Sequence, residues 1–407
     1  TGNFENLKVG NVANSTVKLG SGDDVVELTA TTDKQTIDGG AGTDLVSVNS
    51  SLAVTGAGDI VTLNNFEGLK ISGQIGATAI DMAKWTGFSH ITLVGDSSAL
   101  TSANATFNNL LNNSTITLEG KKADHNITLN IKDAATGTND TVNIVLDPKT
   151  FTVSGSDKIG LNNAGNFVID DIENVNITSN LDTEKTEGVK NTVKFNATAD
   201  AKGVLTNATI KGDADTEVIF GSNIKKIKAL DASALEGKFT FDSTAHLADK
   251  AVIKGGAKDD TITFASTMAT TVTGGAGKDT FVINKGIDPV TFAASKTSTI
   301  TDFTKGDTIK IGGLAATTQD KIVKYEVSGS LDFANNFKEA LKAAGDKKVA
   351  YFTYRDPDAN STDTYVVKSH GDDAVADEHD YIVKLSGAID LSNATITTSG
   401  NDTLITL

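Results

Sequence analysis

Carboxylates set at the ends of glycine runs are the residues whose types and spacing could do chemistry in this chain. Four blocks share the order: Gly20-Ser21-Gly22-Asp23-Asp24-Val25-Val26, Gly39-Gly40-Ala41-Gly42-Thr43-Asp44-Leu45-Val46, Gly255-Gly256-Ala257-Lys258-Asp259-Asp260-Thr261-Ile262 and Gly274-Gly275-Ala276-Gly277-Lys278-Asp279-Thr280-Phe281. Glycine accepts positive φ, so its neighbours' carbonyls can turn toward a common point that the aspartate also reaches. A set of oxygen donors of that kind suits a hard cation, above all Ca²⁺. The predicted ligands are Gly20, Gly22 and Asp24; Gly40, Gly42 and Asp44; Gly256, Asp259 and Asp260; and Gly275, Gly277 and Asp279. Lys258 stands where the pattern has glycine.

The blocks come in two pairs more than two hundred residues apart. Within a pair, equivalent aspartates are 20 (Asp24 to Asp44) or 19 (Asp260 to Asp279) residues apart. Ordinary β-turn chemistry also favours Gly and Asp, but it does not repeat a Gly-Asp-apolar order at a fixed period. The segments between, 29–36 and 265–271, are Thr-rich and lack a glycine turn, which predicts one cation-type turn and one plain turn per coil. Segments 56–61 and 400–405 match only in part. The four blocks resemble the G-G-x-G-x-D-x-U-x nonapeptide of calcium-binding RTX repeats.

Other chemistry is poorly represented. The chain has 407 residues, 38 Gly, 3 Pro, no Cys and a net charge of −16, which excludes disulfides and thiolate metal sites and disfavours nucleic acid as a partner. No apolar run is long enough for a membrane span. His90, His125, His246, His370 and His379 are scattered with no H-E-x-x-H, no G-x-S-x-G occurs, and the P-loop-like Gly277-Lys278 is followed by Asp279 where Ser or Thr is needed. Segment 356–360 opens like an EF-hand, but Val367 occupies the position of the bidentate Glu. The chain therefore reads as a non-enzyme. Beginning at Thr1 with no signal-peptide pattern, it reads as cut from a longer protein.

The elements that must position the blocks are strands. Short alternating runs such as 15–19, 125–131 and 193–195 are separated by Gly, Asn and Asp turns. A looser repeat, Asn3-Phe4-Glu5-Asn6-Leu7, Asn65-Phe66-Glu67-Gly68-Leu69, Asp171-Ile172-Glu173-Asn174-Val175 and Asn223-Ile224-Lys225-Lys226-Ile227, reads as bent strands whose apolar residues stack from coil to coil; a β-sandwich of hairpins is the alternative. Short helices are expected at 78–85 and 100–111, with Trp85 and Phe88 as core filling, and the clearest helix at 331–345, capped by Asp332 or Ser330 and ended by Gly345. A hairpin follows over 349–354 and 364–368, with further strands at 380–387 and 402–407. The expected fold is mainly β, a parallel β-helix or β-roll solenoid with a small C-terminal α+β region. Its divisions are a body over 1–247, a roll over 248–312 and an end region over 313–407.

Ile300-Thr301-Asp302-Phe303 and Gly306-Asp307-Thr308-Ile309 resemble the segment that closes RTX rolls in proteins exported by bacterial type I secretion. With the Phe-Glu-x-Leu strands, the absence of Cys and the abundance of Thr, Asn, Asp and Ala, the chain is similar to the C-terminal part of RTX-type surface-layer proteins. That resemblance implies a secreted, cell-surface structural subunit that self-associates into a calcium-held two-dimensional lattice. It also implies export by type I machinery and attachment to lipopolysaccharide through an N-terminal region outside this sequence. A calcium-dependent RTX adhesin, or the C-terminal portion of a secreted RTX enzyme, would share much of this composition.

Overall fold

The structure is a computed structural model that describes residues 3–9, 14–29, 34–56, 61–73, 75–94, 104–119, 126–147, 166–181, 190–242, 244–287, 294–313, 319, 321–329, 331–356, 360–370 and 379–407. It divides into two units, Thr1–Lys225 and Lys226–Leu407. Both are mainly β.

In the first unit, Glu5–Val9, Val25–Leu28, Leu45–Asn49, Gly68–Ser72, His90–Val94, Ser114–Glu119, Thr141–Asp147, Asn174–Ser179 and Asn207–Gly212 pair in that order as one parallel ladder. The strands between them in sequence pair among themselves. Ser15–Ser21, Gln35–Ala41 and Val61–Asn64 form a small parallel sheet. Ile80–Asp81, Ala105–Leu110, Asn126–Ile131, Asn166–Ile169, Lys190–Asn196 and Asp215–Phe220 form a second parallel ladder. Each strand thus bonds to the strand two places along the chain, one row later. A hairpin would pair consecutive strands antiparallel, so the described pairings of this unit exclude the sandwich of hairpins.

Alternation explains why rows stack. Ser114–Glu119 and Thr141–Asp147 turn every second side chain inward, and the in-register pairing places Val26, Val46, Leu69, Ile91, Ile116, Ile144, Ile177 and Ile210 in one buried column. Burying each such side chain stabilises the fold by roughly 1.5–3 kcal/mol. The outward face uses amides: Asn176 Nδ2 donates to Asn143 Oδ1 (2.9 Å) and Asn207 Nδ2 to Asn174 Oδ1 (2.8 Å), one row apart. Phe66, Ile172 and Ile224 of the looser repeat are buried, whereas Phe4, on the first row, is 48% exposed.

Two helix expectations fail. Within 100–111, Ala105–Leu110 is a strand of the second ladder, and 100–103 lie outside the described residues. Its helix-like spacing comes from a bulge, where Asn109 at φ 57° lets Phe107 and Leu110 both face inward. Over 78–85 the chain makes a two-residue strand and one 3₁₀ turn, Met82–Lys84, capped by Asp81. Trp85 and Phe88 are core residues as expected, with ring centroids 5.7 Å apart, and Trp85 Nε1 donates to Ala53 O (3.1 Å). Ala53 belongs to a short helix, Ser50–Thr55, that the sequence did not announce.

The second unit starts in the same way. Ile227–Leu235, Leu247–Lys254, Thr271–Thr273 and Thr299–Ile300 belong to one ladder, and Phe239–Phe241, Thr261–Ala265, Thr280–Lys285 and Thr308–Ile311 form the other. Both ladders then end in strands from the C-terminal region. Tyr381–Leu385 joins Thr299–Ile300 in parallel, and the hairpin Val349–Asp356/Ser361–Lys368 continues from it antiparallel. Asp402–Thr406 runs antiparallel along Thr308–Ile311, followed by Thr395–Ser399. The expected helix is Phe333–Ala344, with Asp332 Oδ1 accepting from Asn335 N (2.8 Å) and Gly345 ending it at φ 79°. Its buried face, including Phe333, Phe337 and Leu341, packs in one cluster with Phe352, Tyr365 and Val367 of the hairpin. Among the described residues, no helix is long and apolar enough to cross a membrane.

Candidate metal centre

All four glycine blocks form the turns that lead into ladder strands. The glycines at the predicted positions Gly20, Gly22, Gly40, Gly42, Gly275 and Gly277 have φ between 100° and 142°, a conformation that side-chain-bearing residues rarely adopt. Close stacking is a second reason for glycine there. A Cβ on Gly40 or Gly42 would collide with the carbonyl of Gly20 or Gly22 on the preceding row, and one on Gly275 with that of Gly256. At Lys258 the chain has no such φ, and its exposed side chain leaves the stack while its carbonyl lies beneath Gly277.

The aspartates form a buried spine. In the first unit Asp24 Oδ1 accepts from Phe4 N (2.7 Å), Asp44 Oδ1 from Asp24 N (2.8 Å), and Glu67 Oε2 from Asp44 N (2.6 Å). In the second, Asp260 Oδ1 accepts from Phe239 N (2.7 Å), Asp279 Oδ1 from Asp260 N (2.8 Å), and Asp307 Oδ1 from Asp279 N (2.9 Å). Each buried carboxylate reaches back one row. The exposed ones run the other way: Asp23 Oδ1 accepts from Thr43 N and Asp259 Oδ1 from Lys278 N, on the following row. Asp259, predicted as a ligand, therefore sits at the rim as a row-to-row brace rather than in the spine.

The second oxygens of Asp44, Asp260 and Asp279 point into the glycine turns. A Cβ on Gly39 would lie 2.6 Å from Asp44 Oδ2, and Cβ atoms on Gly255 and Gly274 would collide with Asp260 Oδ2 and Asp279 Oδ2. Asp24 Oδ2 and Asp44 Oδ2 are buried with no hydrogen-bond partner, a costly state for a carboxylate oxygen. Asp260 Oδ2 instead takes the Gly256 N–H (2.5 Å). Burial, aided by the Asp279 and Asp259 charges, pushes the Asp260 carboxyl up to about 7. Burial, with Asp307, Asp302 and Asp259 nearby, pushes Asp279 up to about 6. Asp44 is raised for the same reason, with Asp24, Glu67 and Asp23 adding repulsion. Stacked, desolvated carboxylates with unused oxygens are what a hard cation would neutralise. Among the described residues no three His, Cys, Asp or Glu side chains converge on one point, so a cation here would draw the rest of its shell from turn carbonyls and water.

The residues that sequence reasoning missed are Glu67, Asp302 and Asp307. Glu67 occupies the spine position because the Phe-Glu-x-Leu repeat enters the same ladder as the glycine blocks. Asp307 does so through Gly306-Asp307-Thr308-Ile309, which has the block's ending without its glycine run. Asp302 binds the turn itself, accepting from Gly274 N (2.9 Å) and Gly275 N (2.8 Å). The partial match at 400–405 is a hairpin turn at Gly400, with Asp402 paired to Lys310 (2.9 Å). The match at 56–61 and the EF-hand-like loop fall largely outside the described residues. His370 and His379, read as incidental, stack their rings 4.7 Å apart.

No family model matches the chain, and no curated protein matches it.

Proposed function

We propose that this protein is a structural subunit of a bacterial surface layer, its body a parallel β-solenoid of the RTX kind whose glycine–aspartate turns bind Ca²⁺. The observation that carries this reading is the buried aspartate spine, in which Asp24 Oδ2 and Asp44 Oδ2 lack a hydrogen-bond partner beside glycine turns that stack row on row. Asp24 and Asp44, and Asp260 and Asp279, would hold the ions together with carbonyls of the stacked turns. The ion supplies charge neutralisation: it replaces repulsion between rows with a shared attraction and so stiffens the coil. Extracellular modules bind Ca²⁺ at about 10⁻⁴–10⁻³ M, which leaves such sites empty in a cytoplasm and filled outside. The long run of repeated rows and the charge of −16 suit a subunit whose copies meet only when cations intervene. Export by type I machinery and attachment to lipopolysaccharide through a preceding segment belong to the same reading.

Two measurements test it. Melting with Ca²⁺ should lie well above melting with EDTA, since binding to the native state alone adds to its stability; equal midpoints would remove calcium from the account. Protein carrying its native N-terminal region should form ordered sheets by electron microscopy in roughly millimolar Ca²⁺ but not in Mg²⁺, which demands a tight octahedral shell. Dispersed rods in Ca²⁺ would favour the adhesin.

A further inference from the structure

The spine geometry recurs where no glycine block exists. Asp140 is 6% exposed, and its N–H donates to Glu173 Oε2 (2.8 Å) on the next row, as Asp44 N does to Glu67 Oε2. The carbonyls match too. Asp140 O accepts from Glu173 N (3.1 Å) and Asn174 N (3.0 Å), just as Asp44 O accepts from Glu67 N (2.9 Å) and Gly68 N (3.3 Å). The decisive atom is Asp140 Oδ2, which is buried without a hydrogen-bond partner, as Asp24 Oδ2 and Asp44 Oδ2 are. It points at Gly137, where a Cβ would collide with it. Gly137 is exposed and has φ −74°, a conformation open to any residue, so backbone strain does not require glycine there. Space beside the carboxylate does.

We propose that Asp140 and Glu173 form a further Ca²⁺ site in the first unit, opening to solvent past Gly137 and built without the G-x-G-x-D signature. A buried anionic oxygen with no donor costs more than the fold gains by placing it there. The cost disappears if a cation completes it. Two carboxylates from adjacent rows, with carbonyl and water oxygens, are the donor type that a Ca²⁺ ion of irregular coordination accepts. Asparagines of three successive rows surround the turn with amides: Asn112 Nδ2, on the preceding row, donates to Asn139 O (3.3 Å), and Asn174 Nδ2, on the following one, to Asn139 Oδ1 (2.9 Å). These bonds fix the turn without supplying a donor to Asp140 Oδ2.

The inference rests on the calcium reading for the identity of the ion, and the test separates the two. Native mass spectrometry of the full chain in Ca²⁺ counts ions on the folded species. Asp140→Asn and Glu173→Gln should each lose one ion relative to wild type, while Asp133→Asn, an exposed neighbour, keeps them all. Gly137→Ala, which keeps both carboxyl groups in the chain but drives Asp140 Oδ2 from its position, should lose the same ion, so the outcome does not hang on one variant folding. An unchanged count in Asp140→Asn and Glu173→Gln, beside a reduced count in Asp44→Ala, would overturn this site and leave the array reading standing. A wild-type chain that binds no Ca²⁺ would overturn both.

Discussion

Asp260 and Asp279 give the pH dependence its sign. Their native carboxyls are raised to about 7 and about 6, against roughly 3.9 in an unfolded chain. Between about pH 4 and pH 7 the native state therefore holds more protons than the unfolded one, and stability falls as pH rises through that window. Asp231, Asp363 and Asp402 are shifted downward and lose stability only as pH drops below about 4, while Lys368, lowered by burial to about 8, titrates above the window, so a series from pH 5 to pH 7 reports the raised carboxyls, Asp44 among them. In EDTA the melting temperature should decline across that series. With Ca²⁺ the decline should vanish, because the ion takes the proton's place and binds better as the carboxyls ionise. Asp260→Asn should raise the EDTA midpoint at pH 8 and shrink the gain from Ca²⁺; a lowered EDTA midpoint would mean that the carboxylate is held by bonds alone.

Rows tolerate little change where turn and core meet. The apolar residue two places after each spine aspartate starts a buried column: Ile262, Phe281 and Ile309 are in register in the second unit. Phe281, fully buried and 6.2 Å from the Phe303 ring, should lose about 3–5 kcal/mol on Phe281→Ala, read from urea denaturation of the chain in Ca²⁺. The helix cap is a milder test. Asp332→Ala should cost about 1 kcal/mol by the same assay. These positions also show what the sequence could tell. Glycine-aspartate order, strand alternation and the capped helix are local, and each was legible. The bulge at Asn109, which gives a strand the spacing of a helix, depends on one residue's φ, and the role of Glu67 depends on which row it joins. Neither is written in local pattern.

At the scale of the molecule the least legible fact is how the ladders of the second unit stop. Strands pair with neighbours far along the chain: Asp402–Thr406 lies on Thr308–Ile311, and Gly306 N donates to Leu407 O (2.8 Å). Sequence shows these as strands but not as antiparallel lids, since pairing partners carry no signature of their own. A ladder end left open is a template for another chain. Truncation after Ser392 should therefore lower the Ca²⁺ midpoint and produce association that grows with protein concentration in light scattering. A monodisperse truncated chain would show that the lid is not what keeps the edge from pairing.

The opposed reach of buried and exposed carboxylates gives the rows a grammar. A leading row carries an aspartate doublet, Asp23-Asp24 or Asp259-Asp260, one member gripping backward and the other forward; a following row, Thr43-Asp44 or Lys278-Asp279, offers only the backward grip and the N–H that the leader's forward carboxylate takes. Leader and follower are thus not interchangeable, although their glycines and core side chains nearly are. Repetitive ladders risk pairing out of sequence, and the doublet marks which row comes first. The exchange Asp23→Thr with Thr43→Asp preserves composition and charge while scrambling that order. It should lower the midpoint in Ca²⁺ and EDTA alike, by a loss near the low end of the ~0.5–1.5 kcal/mol typical of one hydrogen bond, and slow refolding after dilution from urea as rows search for their place.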